Sequence, residues 1–167
     1  ARRRAVTLAA LRPGLGLALW DVGAGSGSVA IEWLRAEPRA GAIAIERRPE
    51  RAARIRANAL RLGVPALEVI EGPAPDALAG LERPDAVFLG GGVEVPGVLD
   101  ACWEALNAGG RIVANSVTLE SEQALHAARS RYGGSLLRLE LSHAEPLGSL
   151  QAWRPQFPVV QWSAEKR

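Results

Sequence analysis

The chain has 167 residues, a formal net charge of +2, 48% hydrophobic residues and 23% charged ones. That is the size and balance of one ordinary globular domain with a core of its own. No apolar run approaches the roughly 18 residues of a membrane-spanning helix, so a helical span is excluded and no membrane partner is expected. Cys102 is the only cysteine, and His126 and His143 are the only histidines. An internal disulfide is thereby excluded and Cys/His metal spacing is absent, which points to a reducing, cytoplasmic setting with no structural metal. Lys166 is the only lysine among 20 basic residues. Arginine suits bidentate binding of carboxylates and phosphates, so an acidic small ligand and RNA both stay open. The chain holds no methionine, and we expect it to be a piece cut from a longer one.

Residues 1–20 could pass for an export signal, with Arg2–Arg4 leading an apolar stretch to Trp20. Pro13 and Gly14 interrupt that stretch, and its last run feeds a glycine loop that needs it, so it reads as folded structure. Apolar runs then recur at Leu17–Val22, Ala42–Ile45, Leu67–Ile70, Ala86–Leu89 and Ile112–Ala114. Their length and lack of alternation predict strands buried on both faces. Helical spacing separates them at Gly27–Arg35, Pro49–Leu62, Pro96–Leu106 and Glu120–Tyr132. Pro49 stands at a favoured first-turn position, and Gly63 and Gly133 supply stop signals. The tail breaks the alternation: Leu136–His143 and Phe157–Trp162 read as two strands joined by a Pro- and Gly-rich loop, Glu145–Gln156, without a helix. Such a pair belongs antiparallel at one sheet edge. The expected architecture is one α/β domain over residues 1–167, with five parallel strands and an antiparallel close.

The strongest local signal is Asp21-Val22-Gly23-Ala24-Gly25-Ser26-Gly27, at the end of the first strand and the start of a helix. Glycines at alternate positions permit positive φ and let backbone amides approach a ligand. Glu46 ends the second strand, where a carboxylate can accept both hydroxyls of a ribose. A dinucleotide fingerprint would place its third glycine at position 28, which is Ser28. The spacing is instead G-x-G-x-G.

That pattern resembles the class I S-adenosylmethionine-dependent methyltransferases. The resemblance implies a Rossmann-like sheet of order 3-2-1-4-5-7-6 with strand 7 antiparallel. It implies that Gly23, Ala24, Gly25, Ser26 and Gly27 pack on the methionine part of the cofactor, that Glu46 holds the ribose, and that Gly72 and Ala74 frame the adenine. Pro73 stands where the family carries a polar residue, so adenine would be read through backbone groups or another side chain. Gly90-Gly91-Gly92 follows the fourth strand at the edge facing the transferred methyl, and Gly91 is a candidate substrate contact.

Further stretches narrow the resemblance. Leu11-Arg12-Pro13-Gly14, Glu71-Gly72-Pro73-Ala74-Pro75-Asp76, Phe88-Leu89-Gly90-Gly91, Gly110–Glu120 and Trp153-Arg154-Pro155-Gln156-Phe157-Pro158-Val159 follow one another in the chain. They are similar to the C-terminal, C15-methylating and decarboxylating half of the precorrin-6Y C5,15-methyltransferase family, or its stand-alone counterpart. The resemblance implies methylation of a precorrin tetrapyrrole at C15 and loss of CO2 from the acetate at C12, in cobalamin biosynthesis. It also implies an N-terminal C5-methylating domain in the full chain and a homo-oligomer, a tetramer being plausible. Methyl transfer from a sulfonium depends mainly on holding donor and carbon nucleophile in line. No nucleophilic triad is expected, and no catalytic residue is assigned.

A carboxylate-rich substrate calls for arginine, and Arg154 in the tail loop is the preferred anchor, although a surface arginine there could simply bind the loop. Asn115 and Thr118 lie just past the fifth strand, at the end where open α/β sheets bind ligands. Both are candidate substrate contacts, while Thr118 is also a natural helix cap. Trp33 and Trp103 are conceivable subunit contacts. A class I methyltransferase acting on tRNA or protein would share this core and suit a pI near 9.3. Dispersed basic residues and the lack of an aromatic-basic stripe weigh against nucleic acid. Ser28 weighs against a nicotinamide-dependent dehydrogenase, and a catalytically silent cofactor-binding module is the remaining alternative.

Overall fold

The structure, a computed structural model, describes residues 2–167. Helix α1 (Arg2–Leu11) leads into five parallel strands: β1 (Ala18–Val22), β2 (Gly41–Glu46), β3 (Glu68–Glu71), β4 (Ala86–Leu89) and β5 (Arg111–Ser116). Helices α2 (Ser28–Ala36), α3 (Pro49–Arg61) and α4 (Val98–Ala105), and a short 3-10 turn at Asp76–Leu78, lie between them, and α5 (Leu119–Tyr132) follows. The chain closes with β6 (Ser135–Leu139), β7 (Ser142–Leu147), β8 (Leu150–Pro155) and β9 (Val159–Glu165). The main sheet runs β3-β2-β1-β4-β5-β9-β6, with β9 antiparallel to both neighbours. This is the expected methyltransferase order, β9 taking the place of the seventh strand.

The parallel strands and their helices fall within two residues of the ranges expected from periodicity, because both faces of the sheet are covered. On one face Trp20, Val87, Ile112 and Trp162 pack with Cys102 of α4 and Leu125 of α5. On the other, Leu19, Phe88 and Val113 pack with Leu11 of α1, Trp33 of α2 and Ile55 of α3. Successive strand residues alternate between these two layers, as the pleat requires.

Three expectations need correction. Residues 2–11 form a helix that the sequence did not separate from the strand after it. The loop expected at Glu145–Gln156 is largely a second small sheet, the β7–β8 hairpin, paired from Ser142↔Pro155 to Leu147↔Leu150. Trp33 is not a subunit contact: its side chain is fully buried in the core and its Nε1 donates to the Gly41 carbonyl at 3.0 Å. Trp103 is partly buried, stacked on Tyr132 with ring centroids 4.5 Å apart, whereas Trp153 on the hairpin is 76% exposed.

A buried polar cluster fastens α1 to the sheet. Thr7 Oγ1 accepts from Asn115 Nδ2 and from Gln161 Nε2, each at 3.1 Å, and donates to the Arg3 carbonyl at 3.2 Å. Gln161 Nε2 also donates to Asn115 Oδ1 at 2.9 Å. Every member is satisfied, so the cluster fixes the register of α1 against β5 and β9 without leaving an unpaired polar group. Replacing Thr7 with Val removes the shared acceptor, leaving Asn115 Nδ2 without its partner and Gln161 Nε2 with Asn115 Oδ1 alone. We expect Thr7→Val to lower the unfolding free energy by about 1–3 kcal/mol in urea titration, with Thr7→Ser losing much less.

Candidate functional site

The carboxyl ends of β1, β2, β3 and β4 are stitched together beyond the strands themselves. The amides of Gly23 and Ala24 both donate to the Ile45 carbonyl, at 2.9 and 3.1 Å, and the Gly72 amide donates to the Glu46 carbonyl at 3.1 Å. Gly90 N donates to the Val22 carbonyl at 3.0 Å. Glu46, 4% exposed, is clamped by its carboxylate: Oε2 accepts the Gly25 amide at 2.9 Å and Oε1 the Arg48 amide at 3.1 Å.

The three loop glycines serve different ends, although all have positive φ. A Cβ on Gly23 would lie 2.9 Å from the Gly91 carbonyl oxygen, so its bareness lets the loop after β1 touch the loop after β4. A Cβ on Gly27 would lie 2.6 Å from Ile55 Cγ2, so that glycine lets α2 start against α3. A Cβ on Gly25 would meet only the Gly23 carbonyl oxygen, at 4.0 Å, so Gly25 needs glycine for its φ of +61° rather than for room.

These loops enclose a cleft of about 330 Å³. Of the predicted site residues, Gly23, Glu46, Gly72, Ala74 and Gly91 line it together, with Pro73 between the two wall residues. Ala24, Gly25, Ser26 and Gly27 are not among its lining residues. They turn the chain from β1 into α2, with the Ser26 carbonyl held by Asn58 Nδ2 at 3.1 Å and Gly27 N by the Ala24 carbonyl at 2.8 Å.

The predicted substrate residues other than Gly91 are engaged elsewhere. Asn115 belongs to the polar cluster under α1. Thr118 caps α5, its Oγ1 accepting the Ser121 amide at 3.2 Å. Arg154 stands on β8 and pairs with Glu145 on β7 at 3.1 Å. His126 is exposed on α5, 3.7 Å from Glu122, and His143 lies opposite Arg154 on the hairpin.

Sequence reasoning missed three charged residues that line the cleft: Arg47, Arg51 and Glu94. Arg47 lies in the bend between β2 and α3 and Arg51 in the first turn of α3, and their guanidinium groups make no hydrogen bond or ion pair among the described residues. Their place directly after Glu46, at the entry to α3, was the available signal. Glu94 lies in the loop between β4 and α4, where neither periodicity nor a motif marks it.

Compared with known proteins, residues 1–166 match a family described as "precorrin methyltransferase domain". The chain is 54% identical over 163 residues to the precorrin-6Y C(5,15)-methyltransferase [decarboxylating] of Sinorhizobium sp., covering 98% of this chain and 40% of that protein. It thus spans about two fifths of that relative's length. It is also 32% identical over 167 residues to the cobalt-precorrin-6B C(15)-methyltransferase (decarboxylating) of Salmonella typhimurium, covering 98% of this chain and 86% of the other. The crystal structure of the C-terminal domain of precorrin-6Y C5,15-methyltransferase from Rhodobacter capsulatus superposes with a TM-score of 0.91 at 47% identity, covering 99% of this chain and 89% of that one.

Beneath the loop, Asp21 is 1% exposed; its Oδ2 accepts the Ala30 amide at 3.0 Å and its Oδ1 has no partner. Burial pushes its carboxyl up to about 7, the Ala30 hydrogen bond opposing and the nearby Glu46 charge adding to the rise. Its folded pKa thus exceeds the unfolded value near 3.8, so the unfolded state loses this proton first as pH rises. The stability associated with Asp21 is complete below about pH 4, falls between 4 and 7, and is gone above 7. Asp21→Asn is therefore expected to be more stable than the parent at pH 8, by on the order of a few kcal/mol. In urea titrations the advantage should shrink toward zero at pH 4.

Proposed function

Because this chain belongs to the precorrin methyltransferase family, we propose that it transfers a methyl group from S-adenosylmethionine to C15 of a precorrin tetrapyrrole. In the same reading it decarboxylates the C12 acetate, in cobalamin biosynthesis. The observation that carries this is the cleft in which Gly23, the first glycine of the G-x-G-x-G loop, meets Glu46 and Gly91.

The residues present fit that cofactor. Each oxygen of Glu46 accepts one backbone amide and keeps acceptor capacity for a ribose hydroxyl. Gly91, in the cleft wall, leaves open space where a side chain would stand. Gly72, Pro73 and Ala74 form an adenine wall with no polar side chain, so the base is read by backbone groups. When bound, the cofactor supplies an electrophilic methyl on a sulfonium. The protein holds that group in line with the nucleophilic carbon.

On the substrate side, Gly91 offers a backbone edge beside the transferred methyl. Asn115 and Thr118 act by holding α1 and α5 in place, and Arg154 would have to leave Glu145 to bind a substrate carboxylate. Arg47 and Arg51, free of ion pairs among the described residues, are better placed to meet anionic groups at the cleft. The proposal includes one methyltransferase domain over residues 1–167, joined in the full chain to an N-terminal C5-methylating domain and working in the cytoplasm. No helix among the described residues is long and apolar enough to cross a membrane. Homo-oligomer formation, a tetramer being the proposed state, would cover Leu147, Leu150 and Trp153, which the hairpin leaves 69–76% exposed.

The purified chain, incubated with S-adenosylmethionine and a precorrin bearing the C12 acetate, should yield a product that has gained one methyl and lost one CO2 by mass spectrometry. Methylation of tRNA or protein with the tetrapyrrole left untouched would contradict the proposal.

A further inference from the structure

Two carboxylates line the cleft, and they are held in different ways. Glu46 has a backbone amide on each oxygen, which suits a fixed binding group. Glu94 is held at one oxygen only: its Oε2 accepts the Ser121 hydroxyl at 2.7 Å. Ser121 Oγ in turn accepts the Thr118 hydroxyl at 3.1 Å, and Thr118 Oγ1 accepts the Ser121 amide. The N-terminal turn of α5 thus reaches across to the β4–α4 loop and fixes a carboxylate at the cleft wall. Its Oε1 makes no hydrogen bond among the described residues.

A negative charge there opposes a substrate rich in carboxylates, since like charges across an interface are unfavourable. Its presence calls for a chemical use. The other charged groups at the cleft do not offer one: Glu46 is committed to the ribose and clamped by two backbone amides, and the guanidinium groups of Arg47 and Arg51 suit anion binding. His126 and His143 are not among the lining residues, and Asp21 is sealed beneath the loop.

Resting on the proposed tetrapyrrole reaction, we infer that Glu94 is the proton carrier of the site, with Ser121 and Thr118 as its positioning residues. Carbon methylation of an enamine leaves an iminium whose nitrogen must release a proton, and Glu94 as carboxylate accepts it. Decarboxylation requires one back. The bond between the acetate methylene and its carboxyl breaks, CO2 leaves, and the electron pair passes into the adjacent ring imine. The pair then returns to form a C–H bond at the methylene carbon with the proton of Glu94, giving a methyl group and restoring the imine. The proton freed by the first step is consumed by the second, and no other reactant is needed.

The test compares the parent chain with Glu94→Gln, Ser121→Ala and Ser121→Thr, using a precorrin labelled with ¹³C in the acetate carboxyl. Release of ¹³CO2 is followed together with KM for the tetrapyrrole, and S-adenosylhomocysteine affinity is measured by calorimetry. Glu94→Gln keeps the shape and the Ser121 hydrogen bond but carries no transferable proton. We expect it to slow CO2 release by about 10²–10⁴-fold, with KM and S-adenosylhomocysteine affinity within about threefold of the parent. Ser121→Ala should lose roughly 10- to 100-fold, because the carboxylate is no longer held, and Ser121→Thr should restore most of it. CO2 release by Glu94→Gln at the parental rate would overturn the inference, as would a loss expressed wholly in KM or in S-adenosylhomocysteine affinity. A parent chain that binds S-adenosylhomocysteine yet leaves the tetrapyrrole unchanged would instead sink the proposed function, and this inference with it.

Discussion

At the floor of the cleft the backbone after β1 meets the backbone after β4, with Gly23 and Gly91 in contact and no side chain between them. A Cβ on Gly23 would press on the Gly91 carbonyl at 2.9 Å and on its amide at 3.2 Å. Since both are main-chain atoms at strand ends, they cannot yield without moving the sheet. The same turn delivers the Gly25 amide to Glu46, which brings the end of β2 into line with the end of β1. The site is therefore a backbone construction held by hydrogen bonds, with Glu46 as the carboxylate that the backbone itself clamps.

The surroundings carry the strain of that arrangement. Asp21 faces the first turn of α2 rather than the cleft, with one oxygen bonded and the other unpaired. A charge so placed is costly near neutral pH. On the other side of the sheet, Thr118 and Ser121 draw the α5 terminus toward the β4 loop through Glu94. The Thr7–Asn115–Gln161 cluster secures α1 against the strands that border the substrate side. The proposed methyl transfer, which chiefly requires two ligands held in line, would be well served by walls fixed in this way.

The sheet was legible because a strand such as β4 is buried on every residue and reads as an unbroken apolar run. The meeting of Gly23 and Glu46 at the carboxyl edge of the sheet was legible because it is tied to sequence spacing, whereas Ala24–Gly27 turn the chain outside the cleft lining. The hairpin was not: nearly every residue of β7 and β8 is exposed or half-exposed, so neither strand has a buried face to produce alternation. Helix α1 was hidden because it follows a charged start and runs toward Pro13 with only Thr7 and Leu11 buried. Asn115 shows a different limit. Its position beyond the fifth strand pointed to the ligand end, but its partners, Thr7 and Gln161, lie 108 and 46 residues away in the chain. Glu94 likewise acquires meaning only through Ser121, 27 residues later.

The central claim is that this cleft takes an S-adenosyl nucleoside on Glu46. Calorimetric titration with S-adenosylhomocysteine, repeated with NAD and with Glu46→Ala, tests it most directly. The account predicts micromolar binding of S-adenosylhomocysteine alone, abolished or weakened at least about a hundredfold in Glu46→Ala through loss of a charge-assisted hydrogen-bond pair worth about 3 kcal/mol. Binding of NAD in its place, or S-adenosylhomocysteine affinity unchanged by Glu46→Ala, would contradict it.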